Sequence, residues 1–127
     1  MKLYHGSTKK LKVLKPTLAK GINKFENQKA IFLCKTFNHA ALYAIGKNLK
    51  NKNSFLIKPN KLIIAGKPKL SSGYVYEVNV SAKKGPREQY SFDKEIKDFK
   101  IKKVSWKDYF SKILFVKTKE ELLKHLK

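Results

Sequence analysis

Short apolar runs, cut by polar stretches or by glycine and proline, recur along the chain and limit it to folds built from short strands. Leu3-Tyr4-His5-Gly6-Ser7 reads as a first strand stopped by a Gly-Ser turn. Leu11, Val13 and Leu14 lead to Pro16 as an extended segment, and residues 17–28 read as a loop containing Gly21. Ala30-Ile31-Phe32-Leu33-Cys34 is continuously apolar, as a buried strand is. Asn38 is placed to cap a helix over residues 39–49, where Ala41, Leu42, Ile45 and Leu49 keep helical spacing. Phe55–Ile57 and Leu62–Ala65 are strand candidates on either side of Pro59-Asn60.

Tyr74 to Val80 is the clearest strand, rich in β-branched and aromatic residues, with Tyr74, Tyr76, Val78 and Val80 on one face. Gln89–Phe92, Ile101–Val104 and Ile113–Val116 complete the set. Ser105 with Asp108, and Thr118 with Glu121, have the spacing that opens a helix. Roughly six to eight strands and two or three helices follow, in an order that does not alternate strand with helix. That excludes a doubly wound parallel sheet and predicts an α+β fold, mainly antiparallel. The 127 residues fit a single domain spanning 1–127.

Charge is the unusual quantity: 30 Lys+Arg against 9 Asp+Glu, a formal net of +21. Arg87 is the sole arginine, so the excess is lysine, a mobile point charge without the planar fork that reads a base edge. Two readings stay open. The surface attracts a polyanion such as nucleic acid, or codon bias has filled solvated faces with lysine. One cysteine, Cys34, excludes an internal disulfide and fits a reducing compartment. No apolar run spans a bilayer and none at the amino terminus resembles a signal peptide, so the expectation is a soluble, cytoplasmic protein without membrane contact. His5, His39 and Cys34 make no recognisable zinc site, and no metal is expected.

The Leu3-to-Ser7 strand resembles the first motif of the ADP-ribosyltransferase superfamily, in its poly(ADP-ribose)-polymerase and diphtheria-toxin branch. Ala30 to Cys34 followed by Ala40-Ala41-Leu42-Tyr43 resembles the second motif, with ungapped spacing from Phe32 to Tyr43. Tyr74 to Val80 resembles the long central strand, and Gln89-Tyr90-Ser91-Phe92 falls where the family carries its catalytic glutamate. The layout is also similar to short bacterial and phage proteins that begin with Tyr-His-Gly-Ser. The resemblance implies a split β-sandwich of two mainly antiparallel sheets and NAD as substrate. It assigns His5 to a ribose hydroxyl, the Gly6 backbone to the nicotinamide carboxamide, Ser7 to a further hydroxyl, and Tyr43 and Phe32 to the two walls around the nicotinamide. Each has an ordinary alternative: His5 as a surface or capping histidine, Ser7 as a turn residue, Tyr43 and Phe32 as core.

The departure is at the acid. Breaking the ribosyl bond builds positive charge, which a carboxylate stabilises. Gln89 is neutral, and adjacent Glu88 faces the other way along a regular strand. Glu88 is the acid through a register shift, or Gln89 supports slow or altered chemistry, or the domain binds a nucleotide without turning it over. RNA 2′-phosphotransferases share the fold, but one arginine suits their phosphate chemistry poorly. The acceptor would be protein, nucleobase or phosphate. A rival reading is a non-enzymatic, basic nucleic-acid-binding module using Tyr74, Tyr76 and Tyr90 to stack on bases.

Overall fold

The computed structural model describes residues 1–18, 29–46, 55–66, 70–85 and 89–126. Its first sheet contains β1 (Lys2–Ser7), β2 (Thr17–Leu18), β3 (Lys29–Cys34), β6 (Gly73–Asn79), β7 (Lys83–Lys84), β8 (Gln89–Phe92) and β9 (Lys100–Val104). The strand order is β7-β8-β3-β1-β6-β9, with β2 joined to β3. Every pairing in it is antiparallel. The second sheet has order β10-β5-β4, from β4 (Phe55–Lys58), β5 (Lys61–Ala65) and β10 (Ile113–Val116). There the β4–β5 hairpin is antiparallel and β10 runs parallel to β5. The α+β class and the mostly antiparallel sheets match the sequence reading. The element count is higher, because β2 and β7 are two-residue strands without an apolar pattern.

Helix α1 (Phe37–Gly46) lies between the sheets. One core gathers its Ala40, Ala41, Leu42, Ala44 and Ile45 with Val75 and Val104 of the first sheet and Ile57, Leu62 and Ile64 of the second. The helix begins two residues before the expected start. Its cap is Thr36, whose Oγ1 accepts from the His39 amide at 3.3 Å. Asn38, the expected cap, instead accepts through its side chain from the Tyr109 hydroxyl at 3.2 Å. Residues 47–49 of the expected helix, and residues 19–28 of the expected loop, lie outside the described residues.

The helix sits very close to the first sheet. A Cβ on Gly6 would lie 2.1 Å from the Ala40 carbonyl oxygen, and one on Gly73 would lie 2.7 Å from the Ala44 Cβ. Backbone atoms cannot yield to such overlaps, so glycine at both places is set by helix-on-strand contact.

The opposite face of the first sheet carries a second core of Leu3, Leu14, Ile31, Leu33, Tyr76, Val78, Tyr90 and Ile96. No helix covers it among the described residues; irregular segments do, tied by a bridge between Leu14 and Ile96 with both N–H···O distances 2.9 Å. Tyr76 pins one of these segments: its hydroxyl donates to the Lys9 carbonyl at 2.7 Å and accepts from the Leu11 amide at 2.6 Å. The second sheet's outer face packs Leu56 and Ile63 against Leu122 of α2 (Lys119–Leu123). The Thr118 hydroxyl caps α2, accepting from the Glu121 amide as the capping-box spacing predicts. The Ser105 motif opens a 3₁₀ segment, Trp106–Lys112, with the Ser105 side chain accepting from the Lys107 amide. No helix among the described residues is long and apolar enough to cross a membrane.

Candidate functional site

Strand β3 is the spine of the site, because its alternation assigns its side chains to two environments. Ile31 and Leu33 point into the loop-covered core, while Cys34 joins the core around α1. Phe32 therefore faces the α1 side, half-buried. Strand β8 lies alongside, with Ser91 opposite Phe32 and Gln89 opposite Cys34. Tyr90 fills the far core, so Gln89 and Ser91 share the Phe32 side. Both are buried, Gln89 to 6% exposure and Ser91 to 5%.

Buried amides need partners. Gln89 finds one 46 residues away: its Nε2 donates to the hydroxyl of Tyr43 on α1. Tyr43 also lies beside the His39 ring, with centroids 5.2 Å apart and planes tilted by 35°. Phe32, Tyr43 and Gln89, from three separate segments, thus border one patch of the sheet. Cys34 is buried at its edge as a small core residue.

His5 reaches the same strand from the other side. Strand β1 pairs with β6 along its whole length, from Lys2 to Ser7, but with β3 at one registered position, Tyr4 with Cys34. Two residues along β3, the Phe32 carbonyl accepts from His5 Nδ1 at 2.8 Å. A side chain thus stands where a continuing ladder would place a β1 amide. Because a carbonyl only accepts, Nδ1 carries the proton, and Nε2 of the neutral ring is an acceptor suited to a sugar hydroxyl. By alternation His5 belongs to the Leu3 face, and its ring lies 6.0 Å from that of Tyr76. Tyr43 and Gln89 lie on the other face. The incomplete β1–β3 seam, with the Phe32 backbone on its rim, is what lies between the two groups.

Of the remaining residues, Gly6 is required where it is by the Ala40 backbone. The Ser7 hydroxyl accepts from the Lys9 amide at 3.1 Å, the local bond of a serine turn. Glu88 lies outside the described residues. Two neighbours escaped the sequence reading. Ser91 is a buried hydroxyl facing the same side as Gln89, a placement visible only once β8 has a register. His39 had no motif to mark it, although its spacing of four from Tyr43 puts both on one side of a helix. Among the described residues, no group of His, Cys, Asp or Glu could hold a metal ion.

No family model matches this sequence, and no match was found among curated proteins or among solved structures.

Proposed function

We propose that the chain binds NAD at the β1–β3 seam and belongs to the ADP-ribosyltransferase type, with slow transfer of ADP-ribose to a macromolecular acceptor. The hydrogen bond between Gln89 and Tyr43 carries this reading. It joins the helix aromatic and the residue in the acid's position, beside the strand that bears Phe32. An arbitrary α+β packing gives no reason for those positions to meet.

In this reading Phe32 and Tyr43 hold the cationic nicotinamide ring between aromatic surfaces, where area and ring quadrupole both contribute. His5 Nε2 accepts from a ribose hydroxyl, and the Gly6 backbone and Ser7 complete the grip. Cleavage sends the electron pair of the ribose–nicotinamide bond to the departing nicotinamide and leaves an oxocarbenium-like sugar. The acceptor then attacks that carbon and loses a proton. Gln89 fixes the Tyr43 hydroxyl and can accept from the 2′-hydroxyl. It supplies no negative charge to the developing cation, so binding outlasts turnover.

Calorimetric titration with NAD, together with chromatographic detection of released nicotinamide, tests the proposal. Saturable binding with slow release is expected, and Tyr43→Ala and His5→Ala should each weaken binding by about tenfold or more. An unmodified thermal transition in saturating NAD with no nicotinamide would end it. Equal affinity in wild type and both variants would remove the site.

A further inference from the structure

Strand β9 forms one edge of the first sheet, and a groove opens beside it against the start of α1 and the 3₁₀ segment. Its volume is about 300 Å³, and Phe37, Asn38, Lys102, Lys103, Tyr109 and Lys112 line it. Edge strands commonly carry lysine to discourage pairing with another sheet. At the opposite edge β7 does this with Lys83 and Lys84, both exposed. The β9 edge holds more than that defence requires. Lys112 comes from a different element and meets Lys102, on the α1 side of β9, at one concavity, while Lys103 borders it from the neighbouring position on the strand. Asp108 is the carboxylate in the lining.

The partners of two of those lysines leave their charge in place. Lys102 lies over the Phe37 ring, 5.5 Å from its centroid, and Lys112 donates to the Asn60 side-chain carbonyl at 2.9 Å. Both contacts are to uncharged groups, so they orient the cations without neutralising them. The same 3₁₀ segment exposes an aromatic surface. Phe110 is 54% exposed, flanked by Trp106 at 5.9 Å and by Phe115 at 6.2 Å between centroids. Lysines in a groove, and an exposed ring on the 3₁₀ segment that borders it, match the two needs of an unpaired nucleic-acid strand: phosphate neutralisation and a stacking platform.

We infer that the β9 groove binds single-stranded nucleic acid, with Lys102 and Lys112 on the phosphates and a base stacked on Phe110. A duplex keeps its bases stacked inside and cannot use Phe110. An acidic protein surface would gain from the lysines but has no equivalent of the base. Lysines neutralise phosphates without reading base edges, so binding is tolerant of sequence. The inference does not depend on NAD. If the NAD reading also holds, the strand is placed as its acceptor: Phe37 and Tyr43 lie six residues apart on α1, about 9 Å along its axis.

The test is fluorescence anisotropy of labelled oligothymidylate across a salt series, without NAD. Wild type should bind, and Lys102→Gln/Lys112→Gln should lose at least about tenfold, its salt slope falling by about 1.4. Lys83→Gln/Lys84→Gln removes the same charge at the far edge and should keep most of the affinity. Phe110→Ala should weaken oligothymidylate by about tenfold while leaving heparin binding unchanged. Equal losses in the two double variants, an indifferent Phe110→Ala, or tighter binding of a duplex or an acidic peptide would each overturn the assignment. Failure of NAD to bind, measured separately, would leave it standing.

Discussion

The two faces of the seven-stranded sheet are built from the same strands but do different work. The face under the irregular segments is filled by leucine, isoleucine, valine and two tyrosines. The Tyr76 hydroxyl there is spent on the Lys9 and Leu11 backbone. The face under α1 mixes small apolar groups with buried polar ones: Gln89 and Ser91 next to Tyr43. Apolar burial alone can hold the first face, whereas the second needs its helix at a fixed height to complete the Gln89–Tyr43 bond. The difference shows where a small fold can carry a site: at the interface whose geometry is set by backbone contact and whose polar groups satisfy one another.

Substitution of Gly6 should separate the faces most sharply. Gly6→Val places a side chain into the Ala40 carbonyl and the Ala44 amide, 2.1 and 2.8 Å from its Cβ. Moving α1 away would break the core it shares with both sheets. We expect a loss of about 3 kcal/mol or more, read as a lowered or vanished cooperative thermal transition. A transition at the wild-type temperature would show that the helix height is not fixed by this contact. Leu33→Ala acts on the other face, where truncation of a fully buried leucine should cost about 2–5 kcal/mol. A denaturant melt should register it, and an unchanged midpoint would show that this core does not depend on Leu33.

Much of this contrast was readable in the residues, and the unreadable part has a physical cause. The apolar run at 30–34 announces a strand buried on both faces, and the alternation of Tyr74, Tyr76, Val78 and Val80 announces a second. Thr118 and Glu121 announce α2 because a capping bond is local. Lys83–Lys84 has no pattern, since a two-residue edge strand exposes both side chains and is defined by its partner alone. Helical spacing points to Asn38 as the α1 cap, but Thr36 two residues earlier caps the helix, while the Asn38 side chain accepts from Tyr109, a contact 71 residues away that no local pattern signals. In the candidate site, the nearness of Phe32, Tyr43 and Gln89 was legible only through the family resemblance. The tautomer of His5, the inward Ser91 and the demand for a glycine at position 6 were not, because each depends on register across the sheet.

Gln89→Glu probes the chemistry of the α1 face. A carboxylate at this position accepts from the Tyr43 hydroxyl and, in the proposed reaction, would face the developing oxocarbenium. Release of nicotinamide from NAD should rise by roughly 100-fold, the scale of one well-placed electrostatic group. Burying the charge should cost several kcal/mol of stability, which a parallel melt would register. An unchanged release rate with intact NAD binding would show that the missing charge is not what limits turnover.

The smallest expected effect returns to the loop-covered face. Burial pushes the Tyr76 phenol above its ordinary 10.0, partly offset by the Leu11 amide bonded to its oxygen, with Tyr74 adding a small upward push. Below about pH 10 the phenol is protonated in both folded and unfolded chains, and its contribution is complete. As pH rises further the unfolded chain loses the proton first. The folded chain then binds more protons, and stability falls by up to about 1.4 kcal/mol per pH unit until the raised folded value is passed. Tyr76→Phe should cost about 1–3 kcal/mol near pH 8, through the two lost hydrogen bonds, yet be free of this alkaline loss. Denaturant melts of the two proteins should therefore converge above about pH 10. Tyr109, raised by burial and then by Asp108, remains in both proteins and cancels from the difference. A gap that stays constant from about pH 8 to 11 would mean that burial on this face does not hold the phenol protonated.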